Sequence, residues 1–171
     1  MSMVTVVQPL KKTGPRILLM QPIELSVMIQ AQPSSVWKAL TNPDLMKHWM
    51  GEAEMKLEII TDWQVGNPIV IRGFHHTRFE NKGTVLQFEP EKTLKYDYLS
   101  SISHLADKPE NRTIIGFRLT PISNQTSLGL TLNSFPTESI FRHVQFYWIT
   151  TITILKQQVE REHLINNPTG G

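Results

Sequence analysis

Hydrophobic and polar residues alternate in several short stretches of this sequence, as they do in β-strands with one buried face. The alternating stretches are residues 24–29, 94–98, 115–119 and 128–132, and further strand signals lie at 54–63, 69–79 and 84–88. Turn-forming residues separate them, with a hairpin signal at 81–83 and further turns at 66–68, 89–91 and 123–125. The pattern predicts a first strand within residues 17–31 and a later run of about six short antiparallel strands.

Two short helices are predicted between the first strand and the others, in the segment SSVWKALTNPDLMKHWM at residues 34–50. Ser34 or Ser35 is the expected cap of the first helix, and Asn42 is the expected cap of the second, with a proline at the next position. Each helix has one apolar face, formed by Val36, Trp37 and Leu40 and then by Leu45, Met46 and Trp49. We expect Trp37 to anchor the first helix in the core and Trp49 to stand near the rim of the sheet.

The last third of the chain predicts one long helix that is capped by Thr137 and ends at residues 166–168. Its apolar stripe consists of Phe141, Val144 or Gln145, Trp148, Ile152, Leu155 and Val159. Residues 149–154, ITTITI, are all β-branched and favour a strand locally. Helix is the favoured interpretation because the stripe continues on both sides and helix-forming residues follow it.

The composition is that of an ordinary globular domain of 171 residues. We expect an N-terminal arm at residues 1–16, a single domain at 17–165 and a short tail at 166–171. The formal charge is +2 and no basic block stands out, so no nucleic-acid partner is expected. The sequence has no apolar run of roughly 20 residues, as a membrane span requires, and no secretory signal; we therefore expect a cytoplasmic protein.

A set of motifs in the same order as in a known family runs through most of the chain. The pattern A-x-P-x-x-V-W-x-A-L-T-x-P-x-L begins at Ala31 and is followed by Trp49. Weaker motifs come later: Val65-Gly66, Gly83-x-Val85, Pro90, Thr131-Leu132, Phe135-Pro136, and His143 with Trp148. Over roughly residues 23–164 the chain resembles the START-like (SRPBCC) superfamily. Within it, the chain is most similar to homologues of the activator of the heat-shock-protein-90 ATPase.

This resemblance implies an α+β helix-grip fold, in which a curved antiparallel β-sheet wraps around a long C-terminal helix and two short helices follow the first strand. It also implies an internal cavity between the sheet and that helix, for a lipid-like or aromatic small molecule. It does not imply one activity, because the superfamily includes carriers, cyclases and ligand sensors. The chain departs from the family at Asn67-Pro68, where a second glycine is usual, and at Tyr147, where glycine is common. We expect Tyr147 to narrow the cavity.

Candidate ligand-binding residues follow from the predicted strand faces and the helix stripe. They are Trp49, Ile71, Gly73, His75, Tyr96, Tyr98, Phe117, Leu130, Val144 and Trp148. The aromatic members favour a cavity, because buried Tyr and Trp side chains need partners for their polar tips. A bulge in any strand would shift the pattern by one residue and exchange the two faces.

Patterns for catalysis and metal binding are weak. The chain has no cysteine, no G-x-S-x-G elbow and no glycine-rich phosphate loop. None of the 6 histidines forms the i, i+4 pair of a helical zinc site. We assign no catalytic residue, metal or cofactor.

Binding of an apolar or amphipathic small molecule in the internal cavity is therefore the favoured function. Two alternatives stay open. One is co-chaperone-like stimulation of a heat-shock ATPase, which rests on the resemblance alone. The other is a cyclase-type or hydrolase-type enzyme that uses a cavity His or Tyr as acid or base. A homodimer formed through edge strands also stays open.

Overall fold

One curved antiparallel sheet and one long helix organise the chain, which a computed structural model describes at residues 4–7 and 21–168. The strands are β1 (Thr5–Val7), β2 (Ile23–Ile29), β3 (Glu58–Thr61), β4 (Pro68–His75), β5 (Thr77–Glu89), β6 (Thr93–Ser100), β7 (Thr113–Ile122) and β8 (Gln125–Asn133). The helices are α1 (Pro33–Thr41), α2 (Pro43–Met50) and α3 (Glu138–Asn166). The strand order β1-β2-β8-β7-β6-β5-β4-β3 confirms the predicted helix-grip architecture.

The ends of the chain are described only in part. Within the predicted N-terminal arm, β1 pairs antiparallel with β2 at the edge of the sheet. The predicted beginning of the first strand at residue 17 lies outside the described residues, as do most of the arm and the last three residues of the tail.

The β4–β5 hairpin corrects two sequence predictions. Residues 69–79 were expected to form one strand, but the chain reverses at His76, whose φ of 60° lies in the left-handed region. The predicted hairpin turn at 81–83 is wrong, because β5 continues through these residues. Gly83 serves close packing there: a Cβ at this position would lie 1.7 Å from the carbonyl oxygen of Asp97 on β6. The predicted strand at 54–63 is also shorter, because a 3₁₀ turn occupies Ala53–Met55.

The junction between α1 and α2 is built around two tryptophans. Gln32, rather than Ser34 or Ser35, is the residue before α1, because Pro33 already occupies its first position. The predicted cap of α2 is confirmed, since the Asn42 side chain accepts a hydrogen bond from the Asp44 amide at 2.9 Å. Trp37 is buried as expected.

Trp49 does not stand at a rim, so this prediction is wrong. Its side chain is only 2% exposed. Its indole N–H donates to the Ala39 carbonyl at 2.9 Å, which links α2 to α1. The hydrogen bond satisfies the polar tip inside the core, and the sequence spacing alone gives no sign of it.

Helix α3 includes the β-branched run at 149–154, as favoured, and its cap Thr137 accepts from the Ile140 amide at 3.1 Å. The side chains of the stripe that are buried are Val144, Trp148, Ile152, Leu155 and Val159. Lys156 is also buried, because its ammonium group donates to the Met28 carbonyl at 2.8 Å and pairs with Glu160. Glu160 in turn accepts from the Gln30 amide at 2.9 Å. This ion pair fixes the C-terminal half of α3 to the end of β2. None of the helices within the described residues is long and apolar enough to cross a membrane.

Candidate functional site

Three tyrosines and a tryptophan meet between the sheet and the first half of α3, and we call them the tyrosine cluster. Strand β6 contributes Tyr96 and Tyr98, which share one face because they are two residues apart. Helix α3 contributes Tyr147 and Trp148, which are adjacent. The predicted strand phase is correct here, since alternation along β6 and the pairing of Tyr96 with buried Ile115 on β7 put these side chains toward the core.

Trp148 is the centre of the aromatic packing around this cluster. Its ring centroid lies 5.7 Å from that of Phe117, 6.1 Å from that of Trp49 and 5.1 Å from that of Tyr147. The Phe117 and Tyr147 rings meet it nearly edge-on, at interplanar angles of 72° and 84°. These contacts join β7, α2 and α3 at one place.

The phenol hydroxyls of the cluster differ in their hydrogen bonds. The hydroxyl of Tyr147 donates to the Met50 carbonyl at 2.5 Å, which ties α3 to the end of α2. The hydroxyls of Tyr96 and Tyr98 donate to no acceptor among the described residues, although Tyr96 is only 2% exposed. In the described part of the chain, no side-chain nitrogen or oxygen is both sealed from solvent and unpartnered.

Burial raises the pKa of all three phenols. For Tyr96 the desolvation is reinforced by the nearby phenols of Tyr98 and Tyr147. For Tyr98 desolvation and Tyr147 raise the pKa, and the indole of Trp148 partly opposes them. Burial raises the pKa of Tyr147 to about 12. The three hydroxyls thus stay protonated at neutral pH and act as neutral hydrogen-bond donors.

These tyrosines are the only 3 in the sequence, so their titration can be observed without interference. We expect no phenolate absorbance from the folded protein at pH 10, whereas the urea-unfolded chain ionises near that pH. Because the folded pKa values lie above the unfolded ones, stability is intact below about pH 10 and falls as the pH rises toward 12, the value for Tyr147. Ultraviolet pH titration of folded and unfolded protein, with circular dichroism for folding, measures both effects. Normal ionisation of one tyrosine in the folded protein would place it outside the cluster.

The structure brings some of the ten candidate residues together and separates others. Around the tyrosine cluster lie Trp49 and Phe117 through ring contacts, and Val144 is buried one turn before Trp148 on α3. Leu130 is buried opposite Phe117 in the β7–β8 register, and Ile71 is buried on β4. Gly73 and His75 lie further along β4, at its hairpin end, and His75 is exposed with its ring centroid 4.6 Å from that of His76.

A surface groove of about 650 Å³ lies at this turn end of the β4–β5 hairpin. Its lining includes Gly73, Phe74, Arg78 and Phe79, and Arg72 is paired there with Glu58 at 2.9 Å. A smaller recess of about 120 Å³ lies nearby, at the end of β6. Neither space is lined by the tyrosine cluster.

Trp63 and Phe88 are partly buried aromatics that pack against the core, and the sequence reasoning missed them. Trp63 has a φ of 58°, which is unusual for a bulky residue. Its indole N–H donates to the Thr41 carbonyl at 2.7 Å, and its ring stacks on Phe88 with centroids 5.8 Å apart. Its ring centroid is also 6.3 Å from that of Tyr96. The position of a tryptophan between two strands could have indicated this contact, because so large an apolar ring tends to pack against other side chains.

Metal ligands do not gather in the described part of the chain: it has no group of three His, Asp or Glu residues that could hold an ion. The ion pairs that are least exposed to solvent join parts of the fold to one another. Asp97 and Arg112 are paired at 3.3 Å, and the Asp97 carboxylate also accepts from the Thr84 amide at 2.8 Å. The site is thus one of apolar surfaces and neutral donors.

Solved structures with the same fold come from several bacteria. Protein CV1439 from Chromobacterium violaceum matches with a TM-score of 0.70 and 18% identity, over 81% of this chain and 96% of that one. A solution structure of ChR145 from Cytophaga hutchinsonii gives a TM-score of 0.69 and 29% identity, over 83% and 95%. CalU16 from Micromonospora echinospora gives a TM-score of 0.63 and 19% identity, over 96% and 88%.

Curated proteins give no significant sequence match to this chain. The family model described as "Activator of Hsp90 ATPase homolog 1-like protein" matches residues 30–160, which include α1, α2, β3 to β8 and most of α3. The matched region contains the whole tyrosine cluster. With the helix-grip fold confirmed, the chain belongs to this family of START-like proteins.

Proposed function

We propose that the protein binds an apolar or amphipathic small molecule between the sheet and the first half of α3, at the tyrosine cluster. The observation that carries this proposal is that the hydroxyls of Tyr96 and Tyr98, within an aromatic interior, donate to no acceptor among the described residues. A hydrogen bond from a tyrosine hydroxyl to an acceptor on a ligand contributes about 0.5–1.5 kcal/mol net. The apolar body of such a ligand gains further from contact with the surrounding rings.

The surroundings of the cluster favour a ligand that is mostly apolar. The nearest rings and aliphatic side chains, including Trp49, Phe117 and Val144, carry no charge and are buried. Small-molecule sites generally combine such apolar walls with a few polar groups that fix the orientation of the ligand. Binding requires side chains to move apart, and Tyr147 is the one that narrows the space from the helix side.

The enzymatic alternative is less well supported by these side chains. A general base has to lose its proton near neutral pH, and burial shifts the pKa of each tyrosine away from that range. His75, the histidine considered for such a role, is exposed at the tip of the hairpin. The co-chaperone alternative rests on the name of the family. Measurement of heat-shock ATPase turnover with and without the protein decides it.

Methyl-resolved NMR tests the proposed site against binding elsewhere on the surface. We expect added apolar compounds to shift the methyl signals of Ile115, Leu130 and Val144, which are buried beside the cluster. The exposed Ile60 and Ile122 provide internal controls on the same sheet, and their signals should stay unchanged. Native mass spectrometry of the purified protein measures the mass of any ligand that is retained from expression. Shifts confined to the exposed methyls, or no shifts with any compound, would contradict the proposal.

A further inference from the structure

We propose that the ligand is uncharged and carries a hydrogen-bond acceptor oxygen, such as that of a ketone, ester or quinone, which Tyr96 and Tyr98 bind through their hydroxyls. This inference rests on the proposed function and specifies its ligand class. It also divides the cluster into two parts: Tyr96 and Tyr98 recognise the ligand, while Tyr147 supports the helix.

The hydrogen-bond inventory of the cluster favours an acceptor on the ligand. In the described part of the chain, neither the Tyr96 nor the Tyr98 hydroxyl donates to an acceptor, and the Trp148 indole can only donate. Tyr147 has already used its donor on the Met50 carbonyl. A ligand that offers only donors would leave the Tyr96 and Tyr98 hydrogens unsatisfied. A ligand with an acceptor oxygen satisfies at least one of them.

The positions of the two tyrosine hydroxyls define a short polar strip. Tyr96 and Tyr98 alternate with Asp97 along β6, so their Cα atoms lie about 7 Å apart on the same face. Gly83 is adjacent to Tyr98 across the β5–β6 pair and brings no side chain to this surface. Because the backbones of β5 and β6 are in close contact at this glycine, an acceptor group has to reach Tyr98 from the interior side of β6, toward α3.

The charged side chains described near the cluster are already in ion pairs, which disfavours a charged ligand. Asp97 points to the opposite face of β6 and is paired with Arg112. Lys156, the buried cation of α3, is held by Met28 and Glu160 on the far half of the helix. A carboxylate or ammonium group on the ligand would lose its hydration at the cluster without gaining an ion pair there.

Matched pairs of compounds test the ligand class on two scaffolds. Fluorenone has a carbonyl where fluorene has a methylene, on the same rigid ring system, and methyl laurate differs from laurate by a methyl group that removes the charge of the carboxylate on a flexible chain. We expect fluorenone to bind about fivefold more tightly than fluorene, as one net hydrogen bond provides. We expect methyl laurate to bind more tightly than laurate by at least the same factor. Affinities are measured by titration of the Ile115 and Leu130 methyl signals.

Tyr→Phe variants assign the preference to particular hydroxyls without removing the rings. The double variant Y96F/Y98F should bring the fluorenone-to-fluorene affinity ratio close to one. F146A changes a side chain of the same helix that is 77% exposed and lies outside the cluster, so it should keep the ratio. Circular dichroism establishes that each variant is folded.

The possible results separate this inference from the function on which it rests. Equal affinity for fluorenone and fluorene, or tighter binding of laurate than of its ester, overturns the ligand class but leaves binding at the cluster intact. A ratio that survives in Y96F/Y98F overturns the assignment to these two residues. If no compound of either scaffold shifts the Ile115 and Leu130 methyls, the inference and the proposed function both fail.

Discussion

Substitution of Gly83 by alanine is expected to prevent stable folding, with a loss of more than about 4 kcal/mol of unfolding free energy. The added Cβ would lie 1.7 Å from the Asp97 carbonyl oxygen and 2.5 Å from its carbonyl carbon. Both atoms belong to the backbone of β6, so no side-chain rotation relieves the overlap. The β5–β6 pair would have to separate, and the strand that carries Tyr96 and Tyr98 would move with it. Urea unfolding followed by circular dichroism measures the loss.

Gly129→Ala is the matched control for this substitution. Gly129 also lies inside a strand, β8, but a Cβ there would find its nearest neighbour, the Arg118 carbonyl oxygen, at 3.8 Å. This is an ordinary contact distance, so we expect the control to change stability by less than about 1 kcal/mol. Equal stability of the two variants would show that β5 and β6 do not approach each other as described.

Trp148→Ala is expected to cost about 3–5 kcal/mol of unfolding free energy, the range for removal of a large buried aromatic side chain. The side chain is 3% exposed and contacts the rings of Phe117, Trp49 and Tyr147. Its removal leaves a cavity where α2, α3 and β7 meet. Denaturant unfolding gives the change in free energy, and near-ultraviolet circular dichroism should lose signal from the coupled rings.

Phe146→Ala provides a control on the same helix, two residues away. Phe146 is 77% exposed, so its truncation should change stability by no more than about 0.5 kcal/mol. The comparison holds helix propensity and aromatic loss nearly constant and changes only burial. A large effect at Phe146 together with a small one at Trp148 would mean that α3 presents the opposite face to the sheet.

Much of the fold could be predicted because the two-residue period of the strands and the 3.6-residue period of the helix are both strong in this sequence. Alternation along residues 94–98 and 115–119 identified the buried face of the sheet, and the stripe through Trp148 and Val159 identified the buried face of α3. The hairpin at His76 could not be found in the same way. A left-handed histidine is a weak turn signal, whereas Asn81-Lys82-Gly83 resembles a strong one. Close packing of two strands required that glycine, and the sequence does not contain this information locally.

The aromatic members of the site were predictable, but their roles were not. Periodicity places a side chain on a face and says nothing about which carbonyl its polar tip will meet. Trp49, Trp63 and Tyr147 donate to the carbonyls of Ala39, Thr41 and Met50, between 10 and 97 residues away. These long-range bonds occupy three donors, whereas the hydroxyls of Tyr96 and Tyr98 donate to no acceptor among residues 4–7 and 21–168. Only the three-dimensional arrangement separates the two groups.

The buried Lys156 has a consequence for how the protein is made. Its ammonium group reaches the carbonyl of Met28, 128 positions earlier in the chain. Because α3 follows all the described strands in the chain, the apolar side of the sheet stays uncovered during translation until α3 has left the ribosome. Contacts of such large sequence separation form late and slow folding, and an uncovered sheet is prone to aggregate. Nascent chains that stop before α3 should depend on chaperones far more than the finished protein does.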